Sequence, residues 1–116
     1  MSGEASRARG RQRELAVMKH YRALGFVVYR LAAGCADVVL MKAGHGVKLA
    51  QVKSTRKPYD HFPPVERDAL MHEAIAAGAA PVLMWWPKGG PLVEIPACEW
   101  PSRSRVRFPI EGVIHV

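Results

Sequence analysis

Asp37, the Gln51-Val52-Lys53 triplet fourteen positions later, and Glu14 upstream are residue types able to hold a divalent metal against a phosphodiester. An Asp followed by Gln-x-Lys is common by chance, so the triplet carries weight only if the chain's elements bring these groups together. Those elements are readable.

Residues 1 to about 6 read as a frayed start. Arg7, Arg9, Arg11 and Arg13 then interleave with small or polar residues, which makes a basic N-terminal arm over about 1–13. From about Ser6 or Gln12 to Leu24 the pattern is helical: Val17, Tyr21 and Leu24 follow i, i+4, i+7, Met18 lies beside them, and Gly25 supplies the stop. One turn back from Val17 that stripe reaches Glu14. A carboxylate on an inward helical face is costly unless a cation meets it, so a structural ion pair competes with a functional role there.

Phe26 to Leu31 is rich in β-branched and aromatic residues and reads as a strand ended by Ala32-Ala33-Gly34. Asp37–Lys42 is a second strand and Val47–Lys53 a third, joined through Ala43-Gly44-His45-Gly46, whose glycines suit a hairpin turn. Val47, Leu49, Gln51 and Lys53 share one face of the third strand, with Gln51 and Lys53 roughly 6.6 Å apart along it. In the hairpin Asp37 begins the second strand close to where the third ends. Three of the four groups therefore converge without any long-range assumption.

A polar loop from Ser54 to Pro64 follows, with Arg56, Lys57, Tyr59, His61 and Phe62, and then a helix over Val65–Ala77 with Leu70, Ala74 and Ala77 on one face and Gly78 as its stop. Pro81–Trp86 and Leu92–Ile95 read as strands linked by Pro87-Lys88-Gly89-Gly90-Pro91. That linker is a turn, because it lacks the strand–loop–helix context of a phosphate-binding loop. From about Pro96 to Val116 a Pro- and Arg-containing tail carries Arg103, Arg105 and Arg107 and is expected to be irregular and partly ordered. Trp85 and Trp86 point to opposite faces of their strand, so one is expected in the core and the other in a dimer interface or under the C-terminal tail.

With 116 residues, 49% hydrophobic and 23% charged, the chain suits one globular domain. Seventeen Lys and Arg against ten Asp and Glu give a net charge of +7, an electrostatic footprint favouring a polyanion, with nucleic acid first among candidates. Cys35 and Cys98 have neither zinc-ligand spacing nor a disulfide framework, and they read as packing residues rather than nucleophiles. The five histidines lack ligand spacing. Without an apolar signal core, a spanning segment, a basic amphipathic membrane helix or a lipidation signal, a cytoplasmic location with no membrane partner is expected.

The order of helix with Glu14, strand, strand with Asp37, strand with Gln51-Val52-Lys53, helix and strand resembles the PD-(D/E)xK nuclease superfamily, and most of all the archaeal-type Holliday junction resolvases. The likeness runs over roughly residues 9 to 95. It lies in Arg9-Gly10, Glu14, Gly25-Phe26, Arg30, the Gly34 to Asp37 turn, Gln51-Val52-Lys53 and Pro81-Val82-Leu83. The resemblance implies a single α/β domain with a mixed β-sheet flanked by α-helices, the restriction-endonuclease-like αβββαβ core. It further implies a homodimer and Mg²⁺-dependent hydrolysis, with Mn²⁺ able to substitute, at two points of a four-way DNA junction. Asp37 would then be the central metal ligand, Gln51 the second, Glu14 the helical carboxylate completing the site, and Lys53 the group near the attacking water. Arg9 and Arg30 would contact phosphate. Arg11, Arg13, Arg56 and Lys57 join them as DNA-binding candidates from their charge, and Ser54 from its place beside the site.

Mg²⁺ prefers one or two carboxylates with several waters retained, which Asp37 and Glu14 supply. Two departures are visible. Gln51 stands where Glu is commonest and removes one negative charge, which weakens metal affinity. Gly34-Cys35-Ala36 stand where resolvases of this type carry a Ser, whose hydroxyl Ser54 could replace. Two other functions fit the same residues: a related nuclease acting on duplex, nicked or flap DNA in repair or restriction, and a noncatalytic nucleic-acid-binding domain retaining the fold.

Overall fold

The computed structural model describes residues 3–101. Arg103, Arg105, Arg107 and the rest of the expected tail from Ser102 onward lie outside the described residues. The elements run α1 (Gly3–Ala23), β1 (Val27–Arg30), β2 (Val38–Lys42), β3 (Gly46–Lys53), a 3₁₀ turn at Pro58–His61, α2 (Pro64–Ala76), β4 (Ala80–Trp85), β5 (Val93–Pro96) and a second 3₁₀ turn at Ala97–Glu99.

The strands form one five-stranded sheet in the order β1-β2-β3-β4-β5. Only the β3–β4 pair is parallel, because α2 carries the chain back across the sheet between them, as a parallel pairing requires. Strand periodicity divides the apolar side chains between two faces. Val28, Val38, Leu40, Ala50, Val82 and Met84 pack with Val17, Met18 and Tyr21 of α1. Ala36, Leu49 and Leu83 pack with Leu70 and Ala74 of α2, Phe62 and Trp100. Each helix thus covers one face. The result is a single domain with a mixed sheet between helices, as expected for the αβββαβ core, extended by β5.

Element identities and order match the sequence reading, and several boundaries differ. Arg7 to Arg13 form no separate arm but lie on α1, which extends back to Gly3. Leu24 is 52% exposed rather than part of the apolar stripe, since α1 ends at Ala23 and the chain turns at Gly25, whose φ of 93° suits a residue without Cβ. Ala77 is likewise exposed, just past the end of α2. At the tail, Ala97–Glu99 make a 3₁₀ turn and Trp100 is buried edge-on against Phe62, with ring centroids 5.0 Å apart. Neither adjacent tryptophan lies fully in the core, for both are partly buried. Trp86 packs beside the α1 cluster, and the Trp85 indole N–H donates to the Thr55 carbonyl at 2.7 Å.

Candidate metal and nucleic-acid site

Asp37 stands immediately before β2, where backbone hydrogen bonds tie it to both neighbouring strands. Its carbonyl accepts from the Leu31 N–H and its N–H donates to the Ala50 carbonyl, each at 2.8 Å. The β2–β3 register begins at Val38↔Ala50, so Asp37 lies just outside the regular ladder, level with the Ala50 end of β3. The Asp37 carboxylate turns toward the end of β3, where Oδ2 accepts the Val52 N–H at 2.8 Å.

Burial raises the Asp37 pKa above its ordinary 3.8; the Val52 hydrogen bond opposes that shift, Glu14 adds to it, and Lys53 and Arg30 counter it. Glu14, Lys53 and Arg30 therefore act on one half-buried carboxylate. That shared field is the clearest sign that the candidate groups form a site.

Gln51 is held by its amide nitrogen, which donates to the Cys35 carbonyl at 2.6 Å. Only the NH₂ end can make this bond, so the orientation of the amide is fixed and Oε1 is left as its free acceptor. The same Cys35 peptide is gripped from the other side, where its N–H donates to Glu73 Oε1 of α2 at 3.0 Å. Gly34 is required beside it: its φ is 98°, and a Cβ there would meet Glu73 Oε2 at 3.1 Å. A glutamate at position 51 could accept but not donate, and would face the Cys35 carbonyl oxygen with its own charge. Gln51 thus has a structural task that the commoner Glu could not perform. The Cys35 thiol pKa is raised by burial and then by Glu73 and Glu66, which opposes thiolate formation and agrees with a packing role.

Glu14 forms an ion pair with Arg30, with Arg30 Nε donating to Glu14 Oε1 at 2.8 Å. The inward carboxylate has met its cation, as the competing reading of the helix anticipated. Glu14 reaches the site from the α1 side of the sheet, whereas Gln51 shares its face with Leu49 on the α2 side. Two carboxylates and one amide oxygen suit a hard cation that keeps part of its water shell. Among the described residues no three His, Cys, Asp or Glu gather as a metal-ligand group, so a fit to Mg²⁺ depends on the Gln51 oxygen.

The DNA-binding candidates separate into those that converge and those that do not. Arg9 and Arg13, one turn apart on α1, line a groove of about 580 Å³ together with Ser54 and Thr55 after β3 and Lys88 after β4. Arg13 lies over the Trp86 ring at 5.3 Å. Arg11 is exposed and does not line this groove, Arg30 is engaged with Glu14, and Arg56 and Lys57 are exposed on the loop beyond Thr55. Lys88, read from sequence only as part of a turn, is the addition. Its position follows from the parallel β3–β4 pair: Lys53 is in register with Trp85, so the segments leaving both strands emerge at one edge of the sheet. Recognising a βαβ unit in the sequence would have found it.

Among the described residues no helix is long and apolar enough to cross a membrane. No protein-family model matches the chain, and the search of curated proteins gives no match. Among solved structures the chain is similar to Hjc of Archaeoglobus fulgidus, a Holliday junction resolvase from an archaeal hyperthermophile. The TM-score is 0.66 at 19% sequence identity, covering 78% of this chain and 74% of that one. The strand order, the parallel β3–β4 pair and the helix on each face thus give this chain the restriction-endonuclease-like fold seen in that solved structure.

Proposed function

We propose that this protein is a metal-dependent DNA endonuclease, and that its substrate is the four-way junction, cut by a homodimer in the cytoplasm. The observation that carries this reading is the Asp37 carboxylate, bonded to the Val52 N–H beside Gln51 and in the common field of Glu14, Lys53 and Arg30. Asp37 and the Gln51 oxygen would hold Mg²⁺ or Mn²⁺, with Glu14 as a third donor. Such an ion polarises phosphate and makes bound water a stronger nucleophile. Lys53 is the cation on the same strand face as Gln51, suited to orient the attacking water and to offset charge growing on the phosphate. Arg30, paired to Glu14, is half-exposed and suited to meet a phosphate beside the cut.

The groove of Arg9, Arg13, Ser54, Thr55 and Lys88 begins one residue beyond Lys53, which supports it as the path of a DNA backbone leaving the site. Phosphate contacts of this kind set the salt dependence of binding. Lys88→Ala is expected to reduce the slope of log affinity against log salt by about one for junction binding in EDTA. An unchanged slope would take Lys88 off the path.

A second copy has a surface to meet. Val27 and Tyr29 of β1 are 50% and 57% exposed on the sheet face that α2 leaves uncovered, beside partly buried Val39 and Met41. Two-fold pairing would present two equivalent sites to two strands of a junction. The deciding experiment incubates labelled four-way, flap and linear duplex DNA with the protein in Mg²⁺ or EDTA. Paired, metal-dependent cuts confined to the junction are expected. Equal cutting of linear duplex would replace junction selectivity with a duplex nuclease, and tight binding without cutting would leave a noncatalytic DNA-binding domain.

A further inference from the structure

We propose that the groove between α1 and the segments leaving β3 and β4 takes one unpaired nucleotide of a DNA branch, its base laid on the Arg13 guanidinium and its edge met by Gln12; this rests on the DNA-binding reading above and deepens it. The α1 wall of the groove carries two chemistries side by side. Ala8, Gln12 and Ala16 recur every four residues and so form one line along the helix, with Arg9 and Arg13 forming a second line beside it. Lys88 and Ser54 line the groove from the segments that leave β4 and β3.

Cations alone would suit phosphates on the surface of a duplex. The groove offers more: its volume of about 580 Å³ lies within the range of pockets that enclose small organic ligands, and the methyl groups of Ala8 and Ala16 contribute nothing to an anion. A nucleobase has flat apolar faces and a polar edge. Low alanine walls admit such a ring, and the Gln12 amide carries both a donor end and an acceptor end for its edge.

Arg13 is already prepared for a base. Its guanidinium lies over the Trp86 ring, 5.3 Å from the centroid, and among the described residues no carboxylate pairs with it. A planar cation held against an aromatic ring is oriented before any ligand arrives, and unstacked bases rest on guanidinium planes of this kind. Trp86 is held in turn, since its backbone N–H donates to the Lys53 carbonyl at 2.9 Å and its ring meets His20 edge-on. The platform is thereby fixed to the strand end that carries Lys53. A base inside a duplex is stacked and paired, whereas an unpaired one reaches the platform at little cost.

The test measures, in EDTA, the affinity of the full chain for a four-way junction with one unpaired nucleotide at the branch, and for the same junction with an abasic site at that nucleotide, which presents the same phosphates. Wild type is expected to bind the base-bearing junction about tenfold more tightly. Arg13→Lys keeps the charge and loses the plane, and is expected to bring that ratio within about twofold of unity, with an unchanged circular dichroism spectrum. Gln12→Ala is expected to lower the ratio about threefold. Equal wild-type affinity for the two junctions, or a wild-type ratio in Arg13→Lys, would overturn the proposal and leave the groove as a path for the backbone alone. Failure to bind either junction would overturn the DNA-binding reading together with it.

Discussion

Asp37→Asn is expected to lower phosphodiester cleavage on the order of a thousandfold or more while leaving the protein at least as stable as wild type at neutral pH. Loss of activity follows from removing the one carboxylate on which Glu14, Lys53 and Arg30 all act. Preserved stability follows from linkage. Because the folded Asp37 pKa lies above its ordinary 3.8, the native state binds more protons than the unfolded chain between those two values. Stability from this group is therefore fully present below the ordinary value and is lost as pH rises through the folded one. At neutral pH the ionised carboxylate is a local burden, countered by the Val52 N–H and by the cations around it.

Asparagine is uncharged over the whole range and its side-chain oxygen can still accept from Val52, so the variant should lack this decline. Thermal melts from about pH 3 to pH 8 in EDTA check the point: the wild-type curve should fall relative to the variant across the window above 3.8. A variant markedly less stable at neutral pH would make Asp37 a structural residue. Added Mg²⁺ should stabilise the wild type by mass action, through its preference for the ionised carboxylate, and have little effect on the variant.

Phe62→Ala carries the largest expected effect on folding. Phe62 is fully buried among Leu49, Leu70, Ala74, Leu83 and Trp100 on the α2 face. Its carbonyl accepts from the guanidinium of Arg67, whose side chain is itself buried. Truncation at such a position costs about 3–5 kcal/mol through lost burial and the cavity left behind. At about 4–8 °C per kcal/mol for a domain of this size, that is a fall of well over ten degrees in melting temperature. Trp100 would also lose the ring it rests on, and the loop joining Lys53 to α2 would lose its inward anchor. A loss below about 1 kcal/mol in urea denaturation would show that the second face is not packed as a core.

The strands were legible because each is short, β-branched and bounded by turns, and period two then aligned Gln51 with Lys53 and brought Asp37 to their end of the hairpin. The start of α1 was not legible, because the Arg-rich segment before Gln12 has no apolar stripe to mark it as helix; Arg7 to Arg11 are all exposed on α1. Leu24 misled for the opposite reason, since its spacing continued the stripe past the point where Gly25 ends the helix. The contribution of Lys88 depends on the α2 crossover and the parallel β3–β4 pair, contacts between distant segments that no local pattern encodes. Gln51 was read as an oxygen ligand and for the charge it lacks, not as a donor. Its donor role needed the position of the Cys35 carbonyl, which loop geometry alone decides.

The hydrogen bond from the Val52 N–H to Asp37 Oδ2 ties one backbone amide to the protonation and occupancy of a single carboxylate. Its ¹H–¹⁵N resonance is a built-in reporter, whose proton shift should move as Asp37 titrates and move again when a cation takes the carboxylate. The amide of Leu40, three residues beyond Asp37 on β2 and with its side chain buried in the α1 core, should stay in place through both changes. Spectroscopy on the intact protein can thus follow the site without substrate, turnover or substitution.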